Sequence, residues 1–218
     1  MARERKHFDI DIRDLTEEYV DACARVHAEC FPDKLETLLG LECLRDCLRR
    51  RYMKPQGDCF CRIAVSKSDG RLAGYVYAEP MRAVVSNSFL NRPIARAHLL
   101  RRIWLRPRLW LYVVRRVYRS LFRKTWNEGL TLHGRPDWEV AKMLGIHPDF
   151  RGGNVGVELM LAHERDARAR GMTRVCGLIE RTNVKAARLY QSIGWVYTSP
   201  DWQKYDVFAM HKDLTPAP

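Results

Sequence analysis

The sequence predicts a mixed α/β (α+β) fold, and three observations carry that prediction. Short runs that alternate apolar and polar residues are interleaved with longer runs at helical spacing. The turn signals between them order the elements as βααββ, a block of different character, then βαβαββ. Apolar residues make up 46% of the 218, rich in Leu, Val, Ile and aromatics, which excludes a disordered chain and supplies a sizeable core.

Phe8–Ile12 alternates and reads as the first strand. Residues 15–30 recur helically through Leu15, Tyr19, Ala22, Cys23, Val26 and Cys30, ending at Phe31-Pro32. A second helix is expected over 34–51, built on Leu35, Leu38, Leu39, Leu41, Leu44 and Leu48. A hairpin follows: Cys59–Ser66, the turn Ser68-Asp69-Gly70, then Leu72–Ala78. The next strand, Trp138–Ile146, is stopped by Pro148, and Arg151-Gly-Gly-Asn-Val-Gly156 leads into a helix over 155–169. Val175–Ile179 is a strand. Thr182 or Asn183 caps a short helix that stops at Gly194, and Trp195–Tyr197 with Asp206–His211 closes the chain. Residues 1–218 are expected to form one domain, with 80–137 an insertion between two neighbouring strands.

Charge is uneven. There are 38 basic and 26 acidic residues, for a net +12. Residues 81–127 hold twelve of the basic side chains and no Asp or Glu, leaving 26 of each sign elsewhere. The longest apolar run of this block, Leu109 to Val114, falls far short of the ~20 residues that span a bilayer. The N-terminus has no apolar signal segment, and none of the seven cysteines forms a CxxC pair, so a reduced, cytoplasmic setting is expected. Pro93 and Pro107 start helices over 93–105 and 107–124. In the second, Arg108, Arg115, Arg116, Arg119 and Arg123 fall within about 100° of arc, opposite Leu109, Trp110, Val113, Val114, Val117, Tyr118 and Leu121. Three readings stand: an apolar arc packed on the domain, peripheral docking on an anionic membrane, or an anionic acceptor or partner. Nucleic acid is disfavoured, because the aromatics lie mostly on the apolar arc rather than among the arginines.

Gly152, Gly153 and Gly156 lie between a strand and a helix, where backbone N–H groups and the helix dipole suit a pyrophosphate. Some thirty residues on come Thr182-Asn183 and Leu189-Tyr190-Gln-Ser-Ile-Gly194-Trp195. With His147-Pro-Asp-Phe-Arg-Gly-Gly-Asn-Val-Gly156, these resemble the GNAT superfamily of acetyl-CoA-dependent N-acyltransferases, most clearly over residues 138–212. The resemblance implies a mostly antiparallel sheet with splayed central strands, acetyl-CoA as donor, and no metal. The family's cofactor loop runs Arg/Gln-x-x-Gly-x-Gly/Ala. Arg151 and Gly156 match its ends, and Asn154 stands where the family usually has Gly. Asn tolerates a left-handed backbone best among non-glycine residues, so the loop is expected to survive on a left-handed Asn154.

The donor-binding set that the resemblance implies is Leu144, Gly145, Ile146, Arg151, Gly152, Gly153, Asn154, Val155, Gly156, Asn183, Ala186 and Tyr190. Asn183 and Tyr190, seven residues apart, share a helix face, with Ala186 and Ala187 leaving it shallow. By resemblance, Asn183 hydrogen-bonds the pantetheine arm and Tyr190 protonates the leaving thiolate. Direct attack by a neutral primary amine passes through a tetrahedral intermediate and needs a proton acceptor. Some members carry a Glu at the position of Leu178. Here Glu180 and Glu139 are the alternatives. His27-Ala-Glu-Cys-Phe31-Pro32 and the long insertion look like members that acetylate surface polysaccharides and sugar amines, which implies a small or sugar-linked acceptor. The rival reading is a non-catalytic domain of the same fold, binding a membrane or anionic partner through 81–127.

Overall fold

Strand and helix periodicities place the elements close to where the sequence predicts them. The computed structural model describes residues 6–53, 59–81, 107, 109–112, 114, 137–204 and 206–214. The order is β1 (Ile10–Asp14), α1 (Glu17–Cys30), α2 (Leu35–Leu39), α3 (Leu41–Tyr52), β2 (Phe60–Ser66) and β3 (Leu72–Pro80). Then come β4 (Trp138–Ile146), α4 (Val155–Ala169), β5 (Arg174–Glu180), α5 (Val184–Ser192), β6 (Val196–Tyr197) and β7 (Val207–Asp213). Short 3₁₀ turns occupy Pro148–Phe150 and Trp202–Lys204.

Two expectations are corrected. The first strand starts two residues later than Phe8, because Phe8 turns aside to the glycine loop described below. The helix expected over 34–51 is two helices broken at Gly40, whose φ of 100° no side-chain-bearing residue adopts without strain. The leucine pattern runs through the break, so periodicity alone hides it.

One seven-stranded sheet runs β1-β2-β3-β4-β5-β7-β6, and only β4 and β5 pair in parallel. β3 and β4 are antiparallel neighbours, with Pro80 opposite Glu139, so the stretch between them is an excursion from adjacent strands, as expected. Of that excursion, Leu109 is fully buried against Leu35, Leu39 and Cys43, whereas Trp110, Leu111 and Val114 are exposed. The remaining helix and charge expectations for 80–137 lie outside the described residues.

Each sheet face has its own apolar layer. α4 and α5 cover one face through Val155, Leu159, Met160, Ala187, Tyr190 and Trp195. α1 and α3 cover the other through Val20, Cys23, Leu44 and Leu48, against Ile63, Val65, Tyr75 and Tyr77. β3, central and covered on both faces, is buried at every residue.

Candidate active site

The parallel pairing of β4 and β5 is short. It runs from Trp138–Arg174 to Ala141–Gly177 and stops, although β4 continues to Ile146 and β5 to Glu180. Beyond Ala141 and Gly177 the strands fork. β4 remains paired with β3 along its other edge through Ile146, so the inner edge of Lys142–Ile146 has no strand partner and offers backbone groups into the opening. A bulge between Tyr77 and Ala78 makes Lys142 the extra residue of β4 and sets the side-chain faces beyond it. Gly145 is needed there, because a Cβ would collide with the Tyr75 ring at 2.4–2.8 Å.

Tyr190 sits at the base of the fork. Its ring lies over Gly177, where an added Cβ would come within 3.7 Å of both Tyr190 Cε2 and the Ala141 oxygen. Trp195 stacks on it with centroids 4.9 Å apart. Trp195 is itself held by a hydrogen bond from Nε1 to Glu164 Oε1 (2.8 Å), while Lys212 Nζ donates to Glu164 Oε2 (2.7 Å) and to the Ile193 carbonyl (2.8 Å). Burial pushes the Tyr190 hydroxyl up to about 12, so it stays protonated and can donate. The sequence reading missed Glu164 and Lys212, whose only signal was their polarity inside apolar runs.

The glycine loop opens α4. Gly152 has φ 81° and nothing within 4 Å of where its Cβ would be, so its backbone is open at the helix start. Asn154 corrects the sequence expectation. It is not left-handed but right-handed helical, at φ −80°, ψ −16°. Its side-chain amide instead pairs with the N-terminal segment, Oδ1 accepting from Phe8 N (2.8 Å) and Nδ2 donating to Phe8 O (3.1 Å). Gly153 bridges to Lys6 beside it, and a Cβ there would meet Phe8 and the Lys6 oxygen at 2.5–2.7 Å. Thus Gly153 and Asn154 anchor residues 6–8, Gly152 is open at the helix start, and Val155 and Gly156 are buried in the first turn of α4. Arg151 donates from Nε to the Ile146 carbonyl (3.0 Å), joining loop to strand end.

Asn183 caps α5, its Oδ1 accepting from Ala186 N (3.2 Å), which settles the choice between Thr182 and Asn183. Asn183 itself is exposed. Ala186 is half-buried on the same helix, and Gly156 sits so close to α5 that a Cβ would press on Leu189 Cδ1 at 2.6 Å. Loop, fork and α5 thus converge on one face of the sheet.

A fork between two central strands, a glycine-opened helix start and a tyrosine at the apex lie together on one face of the sheet. A family model for the acetyltransferase (GNAT) family matches residues 20–195, most of the chain. The chain belongs to the GNAT acetyltransferase family. It is 37% identical over 70 residues to a mycothiol acetyltransferase of Saccharomonospora viridis, a match covering 32% of this chain but only 22% of that protein. The fold is similar to a GCN5-related N-acetyltransferase from Kribbella flavida (TM-score 0.59, 18% identity, 94% of this chain and 98% of that one). It is also similar to YncA from Salmonella typhimurium, solved with its cofactor acetyl-CoA (TM-score 0.58, 12% identity, 95% of each chain).

The two carboxylates expected from the sequence are not brought together by this GNAT frame. Glu139 is fully buried at the paired end of β4, closed off by Arg170 Nη2 at 2.6 and 2.8 Å and by His163 Nδ1 at 3.1 Å. It therefore faces α4 and not the opening. Glu180 is exposed at the tip of β5, where Lys34 Nζ reaches it at 3.2 Å from the start of α2. On the α1–α3 face the structure assembles a cluster the sequence reading overlooked. Buried Glu79 accepts from Tyr52 Oη (2.7 Å) and pairs with Arg51 and Lys142. Nearby, Tyr75 Oη meets His27 Nδ1 at 2.7 Å, and Tyr77 Oη meets Cys23 Sγ at 3.3 Å.

Proposed function

We propose that this protein is an N-acetyltransferase that moves an acetyl group from acetyl-CoA to the primary amine of a small or sugar-linked acceptor. The observation that carries the reading is the fork beyond Ala141 and Gly177, with Tyr190 at its apex and the open helix start of α4 on the same face. Bound acetyl-CoA supplies a thioester whose carbonyl accepts the amine. The open backbone at Gly152, at the start of the helix that Val155 and Gly156 begin, would take the pyrophosphate, aided by the α4 dipole. Arg151 adds positive charge beside them. Asn183 hydrogen-bonds the pantetheine arm, with half-buried Ala186 keeping that side of α5 shallow. Leu144, Gly145 and Ile146 offer unpaired backbone groups along it, and N–H groups of this edge support the carbonyl oxygen as charge builds on it.

Tyr190 gives its proton to the departing sulfur. A hydroxyl held at about 12 remains a donor across the whole range in which an amine is neutral enough to attack. Of the carboxylates, Glu139 is committed to Arg170 and His163, and Glu180 is tied to Lys34 at the rim. Neither is presented to an amine inside the fork. The mycothiol acetyltransferase likeness and the opening His27–Pro32 run support a sugar-linked amine among the acceptors. The test is thiol release from acetyl-CoA with a panel of amino sugars, amino acids, polyamines and peptide N-termini. Release with at least one amine, lost in Tyr190→Phe, is expected. Full activity in Tyr190→Phe contradicts the role given to that residue.

A further inference from the structure

The donor elements all lie on the α4–α5 face, so an amine attacking the thioester comes from the other face of the fork. That face holds a cavity of about 40 Å³, where a single water needs roughly 10–15 Å³. It is lined by His27, Glu36, Arg51, Tyr52, Lys142 and Met143, among others. Lys142 and Met143 follow directly on Ala141, the last residue of β4 that pairs with β5, so the cavity abuts the fork.

Two residues that line this cavity each carry a buried side-chain nitrogen with no hydrogen-bond partner among the described residues. His27 is 2% exposed, and its Nε2 is buried without a hydrogen-bond partner. Arg51 has a side chain only 10% exposed, and its Nε is likewise unpartnered. A buried polar atom left unpaired costs about 1–3 kcal/mol, so two such nitrogens in residues lining one cavity point to a place that a polar ligand completes. The ring of His27 is fixed. It stacks on Tyr75 and Tyr77, each with centroids 5.9 Å away, and its Nδ1 lies 2.7 Å from Tyr75 Oη. In the tautomer with hydrogen on Nδ1, Tyr75 Oη accepts it and Nε2 carries the free lone pair.

Resting on the acetyltransferase reading above, we propose that this cavity receives the head of the acceptor amine and that His27 Nε2 takes the proton from the attacking nitrogen. The nitrogen lone pair forms the C–N bond to the thioester carbonyl carbon, and an N–H proton passes to Nε2. The C–S bond then breaks, and the sulfur takes the Tyr190 proton. His27 releases its proton to solvent and Tyr190 regains one, leaving an amide and a thiol. Burial, reinforced by the charge of Lys34, pulls His27 down to about 4, so it is neutral and its lone pair is free at neutral pH. The proton it takes is that of a nitrogen already bonded to the carbonyl carbon, which is more acidic than the free ammonium. Arg51 Nε donates to an oxygen of the same acceptor, so the class favoured is a compact primary amine that also bears a carboxylate or hydroxyl. Amino acids and amino sugars share that chemistry.

The test uses the full chain. His27→Phe keeps the stacked ring and removes both nitrogens. Its kcat is expected to fall by about 10²–10⁴ while acetyl-CoA still raises its melting temperature. In His27→Ala, free imidazole restores turnover and pyrrole, which has no acceptor lone pair, does not. A kcat within twofold of wild type in His27→Phe, or equal rescue by pyrrole, overturns the proposal. The ¹⁵N resonance of His27 Nε2 in the wild-type chain, with CoA and each amine of the panel present, needs neither turnover nor a variant. It shifts with an amino acid or an amino sugar and not with a plain alkylamine. A resonance that no amine moves overturns the proposal, and one that plain alkylamines move equally removes Arg51 from it. A wild-type chain that acetyl-CoA does not stabilise sinks the donor reading itself, which separates the two failures.

Discussion

The two faces of the fork are built in different ways. On the α4–α5 face, the elements that would hold the donor are mostly backbone: a glycine-opened helix start, an unpaired strand edge and an asparagine cap. On the α1–α3 face, the cavity is made of side chains drawn from α1, α2, α3, β3 and β4, with Glu36, Arg51 and Lys142 charged and partly buried. The difference matches the tasks proposed for them. A fixed cofactor is recognised by main-chain geometry that many sequences can supply, whereas an acceptor is recognised by side chains that can vary.

The largest effect that would sharpen this contrast is kinetic and lies on the donor face. Tyr190→Phe retains the stack on Trp195, so kcat is expected to fall by about 10²–10⁴ with little change in melting temperature. Comparable losses of kcat and of stability would mean that the hydroxyl supports the packing and not the chemistry. In wild type, Tyr190 is protonated well past pH 10. Stopped assays between pH 7 and 10 should therefore show no fall in kcat from its ionisation.

On the acceptor face the leading effect is on stability. His27 titrates near 4 when folded against 6.5 when exposed, so the unfolded chain binds the extra proton as pH drops between those values. Stability is complete above 6.5 and is lost towards 4, by about 3 kcal/mol. Urea unfolding of wild type and His27→Phe across this window measures it, and equal pH slopes would show that His27 is not held neutral.

Smaller effects probe the supports. Glu164→Gln keeps an acceptor for Trp195 but leaves Lys212 without its carboxylate. A loss of about 2–3 kcal/mol is expected, together with a lowered kcat as Tyr190 loosens. Asn154→Ala breaks the double hydrogen bond to Phe8 and should cost about 1–3 kcal/mol, with proteolysis near the N-terminus as the local readout. Lys34→Ala removes an exposed pair with Glu180 and should cost less than about 1 kcal/mol.

The geometry of the face proposed for the donor was largely legible in the sequence because its signals are local. The loop 151–156, the cap at Asn183 and the spacing to Tyr190 each lie within one strand–helix junction. The acceptor face was not. Glu79, Arg51 and Lys142 are separated by 28 and 63 residues, and the bulge at Lys142, which no residue type announces, decides which side chains face them. Asn154 shows the same limit within a motif. Its type pointed to a backbone role, but a contact across 146 residues gave its side chain the work. Gly40 was visible in the sequence, yet the leucines around it kept their helical spacing through the break.

The most direct measurement is the melting temperature of the full chain with and without acetyl-CoA. Saturation at a hundred times the dissociation constant stabilises a folded protein by about 2.7 kcal/mol, so a rise of several degrees is expected. A melting temperature that acetyl-CoA leaves unchanged at millimolar concentration would contradict the assignment of the fork as a donor site.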